Sequence, residues 1–242
     1  MSRPLASFHV FSVERHRVPG ALWRMAADPL SLRGTAGLRF ARSVGTNRGD
    51  SFSLRDADLC RWGLFTVWDD REALERFERA GRAFAAWRRT ARERWRVDLL
   101  PLRSRGAWGG RDPLAGAVAA TDAPGPAAAV TRARIRWSQA VRFWRAVPPV
   151  AADLRRQPGL RLSFGFGEAP VGLQGTFSVW DSTRALTDYA YRTAAHQQVI
   201  RATQDLQWYG EELFARFAVV GSQGTIDGRD PVGGGHGIAG DA

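Results

Sequence analysis

The chain has 242 residues, 44% hydrophobic and 24% charged, a globular balance and a length that allows one large domain or two small ones. All 35 cationic side chains are arginine and the net charge is +11, but they are scattered singly over elements of both kinds, so the basicity reads as a solvated surface and not as a nucleic-acid footprint. A single cysteine, Cys60, excludes an internal disulfide framework and a cysteine-rich metal site and points to a reducing, cytoplasmic setting. No run of about 18 apolar residues could cross a bilayer, which leaves weak, salt-sensitive contact with anionic lipid at the inner membrane face as the expected limit of membrane association.

In chain order, "LASFHVFSV" (5–13) alternates as a strand, and "GALWRMAADPLSLR" (20–33) reads as a short helix interrupted near Pro29. Strands follow at 37–45 and 60–68. The segment 69–95 places Leu74, Phe77, Gly81, Phe84 and Ala91 on one face of a long amphipathic helix, N-capped by Asp69 or Asp70 and closed by Trp95. A strand at 96–102 completes the order β-α-β-β-α-β. The same order recurs with strands near 129–136, 160–166, 172–180 and 213–220 and helices near 138–155 and 182–207.

The recurrence is literal in places. "TVWDDREAL" at 66–74 returns as "SVWDSTRAL" at 178–186, "GLRF" at 37–40 as "GLRL" at 159–162, and "GGRDPL" at 109–114 as "DGRDPV" at 227–232. Trp95 and Trp208 are read as counterparts. These repeats predict an α+β chain of two fused ferredoxin-like (β-α-β-β-α-β) units that form a dimeric-α/β-barrel-type fold internally. The expected boundaries are 1–114 for the first unit, 115–128 for an Ala/Pro/Gly linker, 129–220 for the second unit and 221–242 for a Gly-rich tail.

Dinucleotide, phosphate-loop, zinc-protease and serine-hydrolase motifs are all absent. The Glu211–Glu212 pair sits at a helix-to-strand junction, where alternating sides argue against a shared acid/base role. Of the four histidines, His16 and His236 lie in polar or glycine-rich turns, and His9 reads as a half-buried structural residue of the first strand. His196 stands where the first unit has Phe84. With Leu186, Tyr189, Thr193, Ile200 and Thr203 it follows the inward stripe of its helix. Such an imidazole is either a hydrogen-bonded core residue or an axial ligand to a haem held between helix and sheet, beside the small Ala194, Ala195 and Gly175.

The stretches "GLRFARSVGTNRGDSF", "TVWDDREALERF", "LPLRSRGAWGGRDPL", "GTFSVWDSTRALTDYAYRTAAHQQVI" and "WYGEELFARFAVVGSQGTIDGRDP" resemble the spheroidene monooxygenase (acyclic carotenoid 2-ketolase) family. That family is similar to haem-containing dimeric α/β-barrel proteins, a group that includes aldoxime dehydratases. The resemblance implies a haem-dependent monooxygenase acting on an apolar, carotenoid-like substrate with O₂ and an external electron donor such as ferredoxin, as a monomer or homodimer. His196 would ligate the iron, Thr193, Ile200, Phe164 and Phe177 would contact the cofactor, and Gln174 or Thr176 would assist by hydrogen bonding. A haem enzyme of another class, such as a dehydratase, and a cofactor-free barrel that binds small hydrophobic molecules are the alternatives. The loop "ARSVGTNRG" departs from the family's Lys-Leu-x-Gly-Thr-Gly pattern at Arg42 and Asn47, which bears on substrate identity.

Overall fold

The computed structural model describes residues 3–49, 56–117, 124–168, 172–192 and 208–233. Its elements in chain order are β1 (Leu5–Ser12), α1 (Val18–Ser31), β2 (Leu38–Asn47), β3 (Ala57–Trp68), α2 (Arg71–Ala80), α3 (Arg82–Thr90), β4 (Glu93–Gly106), β5 (Ala127–Ile135), α4 (Ala140–Arg155), β6 (Leu160–Gly167), β7 (Leu173–Trp180), α5 (Thr183–Arg192) and β8 (Tyr209–Gly224). Every residue of β1 is buried. Alternation turns Ala6, Phe8 and Val10 into one core and Leu5 and Phe11 into another, as a strand covered on both faces requires.

The strands close into one antiparallel barrel in the order β1-β3-β2-β6-β7-β5-β8-β4. Each half contributes four strands. The two sets do not stack face to face; they join edge to edge through β2–β6 and the longer β4–β8 ladder. The long ladder is self-complementary: it runs from Trp95↔Gly224 at one end to Gly106↔Leu213 at the other. Both terminal glycines have positive φ, 100° at Gly106 and 79° at Gly224. A Cβ on Gly106 would strike the Glu212 carbonyl, and one on Gly224 would strike the Arg94 carbonyl. No L side chain fits either position.

Eight strands enclose an interior just wide enough for side chains to fill. Phe8 sits at its centre, with ring centroids 4.7 Å from Phe177, 5.5 Å from Phe164, 5.9 Å from Phe166 and 6.0 Å from Phe65. The recurring "GRDP" segments plug the ends. After β4, Trp108 stacks on Phe65 at 5.3 Å and on Phe166 at 5.7 Å, and Leu114 joins the same core. After β8, Ile226 and Val232 pack into it in turn. The two turns are built alike. Trp108 N donates to the Arg111 carbonyl as Ile226 N does to Arg229, both at 2.8 Å. One Oδ1 of Asp112 holds Leu114 N and Ser104, as one Oδ1 of Asp230 holds Val232 N and Ser222. Glu211 accepts from Gly109 N and Gly110 N, as Glu93 does from Asp227 N and Gly228 N. At the Trp108 end the buried Arg132 also donates to Glu168 and Glu211, and Arg42 pairs with Glu168. The buried Arg132 charge survives there because it is matched and hydrogen-bonded by two carboxylates.

Several local expectations change. The single helix expected over 69–95 is two helices meeting at Gly81, whose backbone is extended (φ −67°, ψ 126°), and helix ends at Thr90. Trp95 therefore lies on β4 with its indole donating to Ser222, whereas Trp208 precedes β8. The two tryptophans are not counterparts, since the β4–β8 register, Trp95↔Gly224 and Gly106↔Leu213, makes Leu213 the residue that matches Trp95. Of the two expected caps, Asp70 accepts from Ala73 N and Asp69 pairs with Arg39. Pro29 is carried within α1 without a break.

Two measurements test this architecture. Gly106→Ala and Gly224→Ala should each cost about 2 kcal/mol or more in urea unfolding, and Gly110→Ala about 1 kcal/mol, because Gly110 shares the positive φ but has nothing near its Cβ position. Burial alone would push the Glu211 carboxyl up, but the Gly109 and Gly110 N–H groups and Arg132 outweigh it and hold it below the usual carboxylate range. Its stabilisation is thus complete above the unfolded carboxylate value of about 4.3 and is lost as pH falls through the lower folded value. Glu211→Gln should lower Tm at pH 7 and flatten the Tm-against-pH curve below about pH 4.

Candidate functional site

With the barrel interior filled, room for a ligand lies between the sheet and the helices outside it. The registers Leu5↔Trp68 and Ala127↔Trp180 superpose the two halves strand by strand. On the helix-facing side, Ser7, His9 and Phe11 of β1 then correspond to Ala129, Thr131 and Ala133 of β5. Thr66, Leu64 and Trp62 of β3 correspond to Ser178, Thr176 and Gln174 of β7. The first half packs much of this layer with large side chains: Phe11, Leu64, Trp62 and Trp68 cluster with Leu74, Phe77, Phe84 and Trp87. The second half has the smaller Ala133, Thr176 and Gln174 in place of Phe11, Leu64 and Trp62, and keeps Trp68 as Trp180. Its helix-side cluster, among the described residues, comprises Ile135, Ala140, Phe143, Val147, Ala151 and Trp208, all toward α4. Ala129, Thr131, Ala133, Ser163 and Thr176 are only half-buried, and Phe214, paired with Thr131 across the ladder, is 42% exposed. An apolar ring left in the open on a floor of small side chains marks a surface made to be covered.

Gln174 and Thr176 share this face, Gln174 buried and Thr176 half-buried. Phe164 and Phe177 do not. They point into the barrel, 4% and 0% exposed, with ring centroids 5.4 Å apart and against Phe8. Alternation along β6 and β7 puts the two pairs on opposite sides of the sheet. Gly175 also faces inward, and a Cβ there would collide with the Phe166 ring, so its smallness serves the barrel core. Trp180, on the helix side, stacks on Tyr189 of α5 at 5.3 Å. Burial, then the Asp153 charge, raises the Tyr189 hydroxyl far above its ordinary value. His196, Thr193 and Ile200, with Ala194 and Ala195, lie outside the described residues. Among the described residues no group of three or more histidine, cysteine or carboxylate side chains could hold a metal ion, and no helix is long and apolar enough to cross a membrane.

In the first half the corresponding layer contains His9, which is 2% exposed and so more deeply buried than its strand position suggests. Its Nε2 lies 3.0 Å from Glu78 Oε1. Its ring meets Phe84 edge-on at 5.5 Å and lies parallel to Phe11 at 6.0 Å. Arg96 donates to the other Glu78 oxygen and, at 3.0 Å, to Asp98, which also receives Arg71 at 2.7 Å. Burial pushes the Glu78 carboxyl up, but His9 and Arg96 more than offset this and leave it below the usual range. Glu78 and Arg96 carry no signal in the sequence, being 69 and 87 positions beyond His9; only the imidazole inside an apolar alternation hinted at a buried partner.

No protein-family profile matches the chain. The chain is 41% identical over 211 residues to spheroidene monooxygenase of Rubrivivax gelatinosus, covering 86% of this chain and 80% of that one. It is 29% identical over 231 residues to spheroidene monooxygenase of Rhodobacter capsulatus, covering 95% of each. Two solved aldoxime dehydratase structures, one in complex with butyraldoxime, share the fold with TM-scores of 0.60 and 0.55 at 11% identity, covering 89% of this chain and 81% and 79% of theirs. The fold likeness says nothing of chemistry at that identity, but the sequence relation does: the chain belongs to the spheroidene monooxygenase family.

Proposed function

We propose that this protein is a haem-dependent monooxygenase that inserts oxygen into an acyclic, carotenoid-like polyene, with the reaction on the helix-facing side of the second half's sheet. The substrate class follows the names of the relatives. The observation that carries the location is the floor of Ala129, Thr131, Ala133, Ser163 and Thr176, where the first half has His9, Phe11 and Leu64. A flat macrocycle needs such a floor, so the described residues fit the group. His196, by its place in the sequence, is the ligand in this proposal. When bound, haem supplies the activation of O₂, with electrons from an external donor such as ferredoxin. The chain's own contribution is to exclude water with Phe214 and Trp180 and to offer the side chains of Gln174 and Thr176 as hydrogen-bonding groups toward the reacting oxygen. Phe164 and Phe177 support the floor from within the barrel and do not line the slot.

The proposal extends to organisation. The matching plug turns, glycines and carboxylates of the two halves support two fused ferredoxin-like repeats, units 1–114 and 129–220 joined through 115–128. Closure within one chain means that a monomer has no open sheet edge, so assembly to a homodimer would use other surfaces. The excess of arginine supports weak contact with anionic lipid, from which an apolar substrate could be drawn.

The test is a visible spectrum and a labelling experiment on the purified protein. A Soret band, and ¹⁸O from ¹⁸O₂ in the oxidised polyene, are expected; a protein that never takes up haem would refute the cofactor, and label arriving only from water would refute the reaction class. Thr131→Phe, which restores bulk on the floor, should keep the Tm within a few degrees and reduce haem uptake and turnover about tenfold or more. His196→Ala should fold and shift or lose the Soret band.

A further inference from the structure

We propose that the cleft around His9 in the first half is a second ligand site, for a small molecule with an aromatic body, a hydroxyl donor at one end and a carboxylate or other anionic group at the other. The site is separate from the proposed oxygenation surface and does not rest on that reading. It is a cavity of about 640 Å³ between α2 and α3 on one side and β1, β4 and the end of β8 on the other.

Three features define the ligand. The first is the imidazole at the floor. Glu78 is a carboxylate and only accepts, so His9 Nε2 carries the hydrogen of that bond, and whenever the ring is neutral Nδ1 is a lone-pair acceptor. Nδ1 is buried and has no hydrogen-bond partner, on a ring that lines the cavity. A buried acceptor without a donor is unfavourable unless something brings one, and a ligand hydroxyl does.

The second is the wall. Phe11 and Phe84 line the cavity with only 1% and 7% of their surface exposed, and Phe11 is itself stacked on Trp87 at 4.8 Å, so the aromatic wall is fixed and a ligand meets the edges of its rings. The third is the rim. Arg88, Arg92 and Arg94 line the opening and are exposed, and among the described residues none is in an ion pair with a carboxylate. The nearby carboxylates cannot serve them. Both Glu78 oxygens are held by His9 and Arg96, Glu93 is held by Thr225 and the N–H groups of Asp227 and Gly228, and Glu75 faces Arg79 at 3.7 Å. The Arg94 guanidinium lies 6.0 Å from the centre of the Phe84 ring, where cation and aromatic face can hold a flat anion together. Acceptor, aromatic wall and unpaired guanidinium groups thus follow one another from the floor of the cleft to its mouth.

The probe is 6-hydroxy-2-naphthoate, with 2-naphthoate lacking the hydroxyl and 2-naphthol lacking the anion, titrated into the full-length protein by calorimetry. The hydroxynaphthoate is expected to bind about tenfold tighter than either truncated probe, a factor equal to about 1.4 kcal/mol. In His9→Leu that advantage over 2-naphthoate should disappear while 2-naphthoate itself binds as before. Arg88→Gln with Arg92→Gln should weaken both carboxylates about tenfold and leave 2-naphthol unchanged, and this variant does not touch the buried layer, so it tests the site even if His9→Leu proves unstable. Equal binding of the three probes, or the same affinities in the arginine double variant, would overturn the proposal. A Soret band lost in His9→Leu but kept in His196→Ala would overturn it too, by making His9 an iron ligand; loss of haem in His196→Ala with hydroxynaphthoate binding intact would uphold both readings separately.

Discussion

Everything in this molecule rests on the closure of strand edges. A four-stranded sheet with helices on one face has two open edges and one bare face, and each is a liability in water. The β4–β8 ladder removes an edge from both halves at once, and β2–β6 removes the other pair. The self-complementary register of β4 and β8 is what a twofold contact between identical sheets would have, here made within one chain. That register dictates the glycines at both ends, since the strands pass too closely for a Cβ. It also fixes where the two plug turns leave the barrel, and hence why a tryptophan and an isoleucine from equivalent turns seal opposite ends of one core.

Closure has a second consequence. The bare faces now look at each other across an interior that eight strands leave only wide enough for side chains, and Phe8, Phe65, Phe166, Phe177 and Phe217 consume it. A ligand has nowhere to go but the two outer layers under the helices. Those layers are where the halves differ most. The inner residues answer to one shared core and must stay large; the outer residues answer only to their own helices. The second half can therefore carry less bulk on β5 and β7 with the barrel intact. Loss of Leu and Phe contacts of this kind would ordinarily cost several kcal/mol. Its persistence is reasonable where a cofactor or substrate restores the contacts on binding.

The alternation of β1 and the capping aspartate before α2 made the α+β order legible in the sequence, and the recurring "VWD" and "GRDP" segments marked matching positions in the two halves. What could not be read was which side of each strand is which. In β6 and β7 both faces are apolar or small, so the sequence places Phe164 and Phe177 on the helix-facing side as readily as Gln174 and Thr176; only closure of the barrel shows that they point inward. The break at Gly81 was hidden for a similar reason, because Leu74, Phe77 and Phe84 keep helical spacing across it. Trp95 and Trp208 misled through residue type alone. The polar contacts that matter most, His9 with Glu78 and Arg132 with Glu168 and Glu211, join positions far apart in the chain, and no local pattern encodes them.

The two outer layers also differ in what their strands supply. In the first half the strand supplies the imidazole, His9, and the helix supplies the aromatic ring that faces it, Phe84. In the second half the matching strand position is Thr131, and the residue that aligns with Phe84 in the ungapped sequence repeat is His196. A strand imidazole can be gripped from the side by a helix carboxylate, as Glu78 grips His9, which leaves one nitrogen with a fixed role and one free. The strand floor at Thr131 carries no such group and is flanked by Ala129 and Ala133, so whatever lies on it meets small side chains and the Phe214 ring. The first arrangement suits a ligand that donates one hydrogen bond and brings a charge to the rim; the second suits a flat apolar body. The two halves present different outer surfaces because the barrel core, which both share, leaves those walls unconstrained.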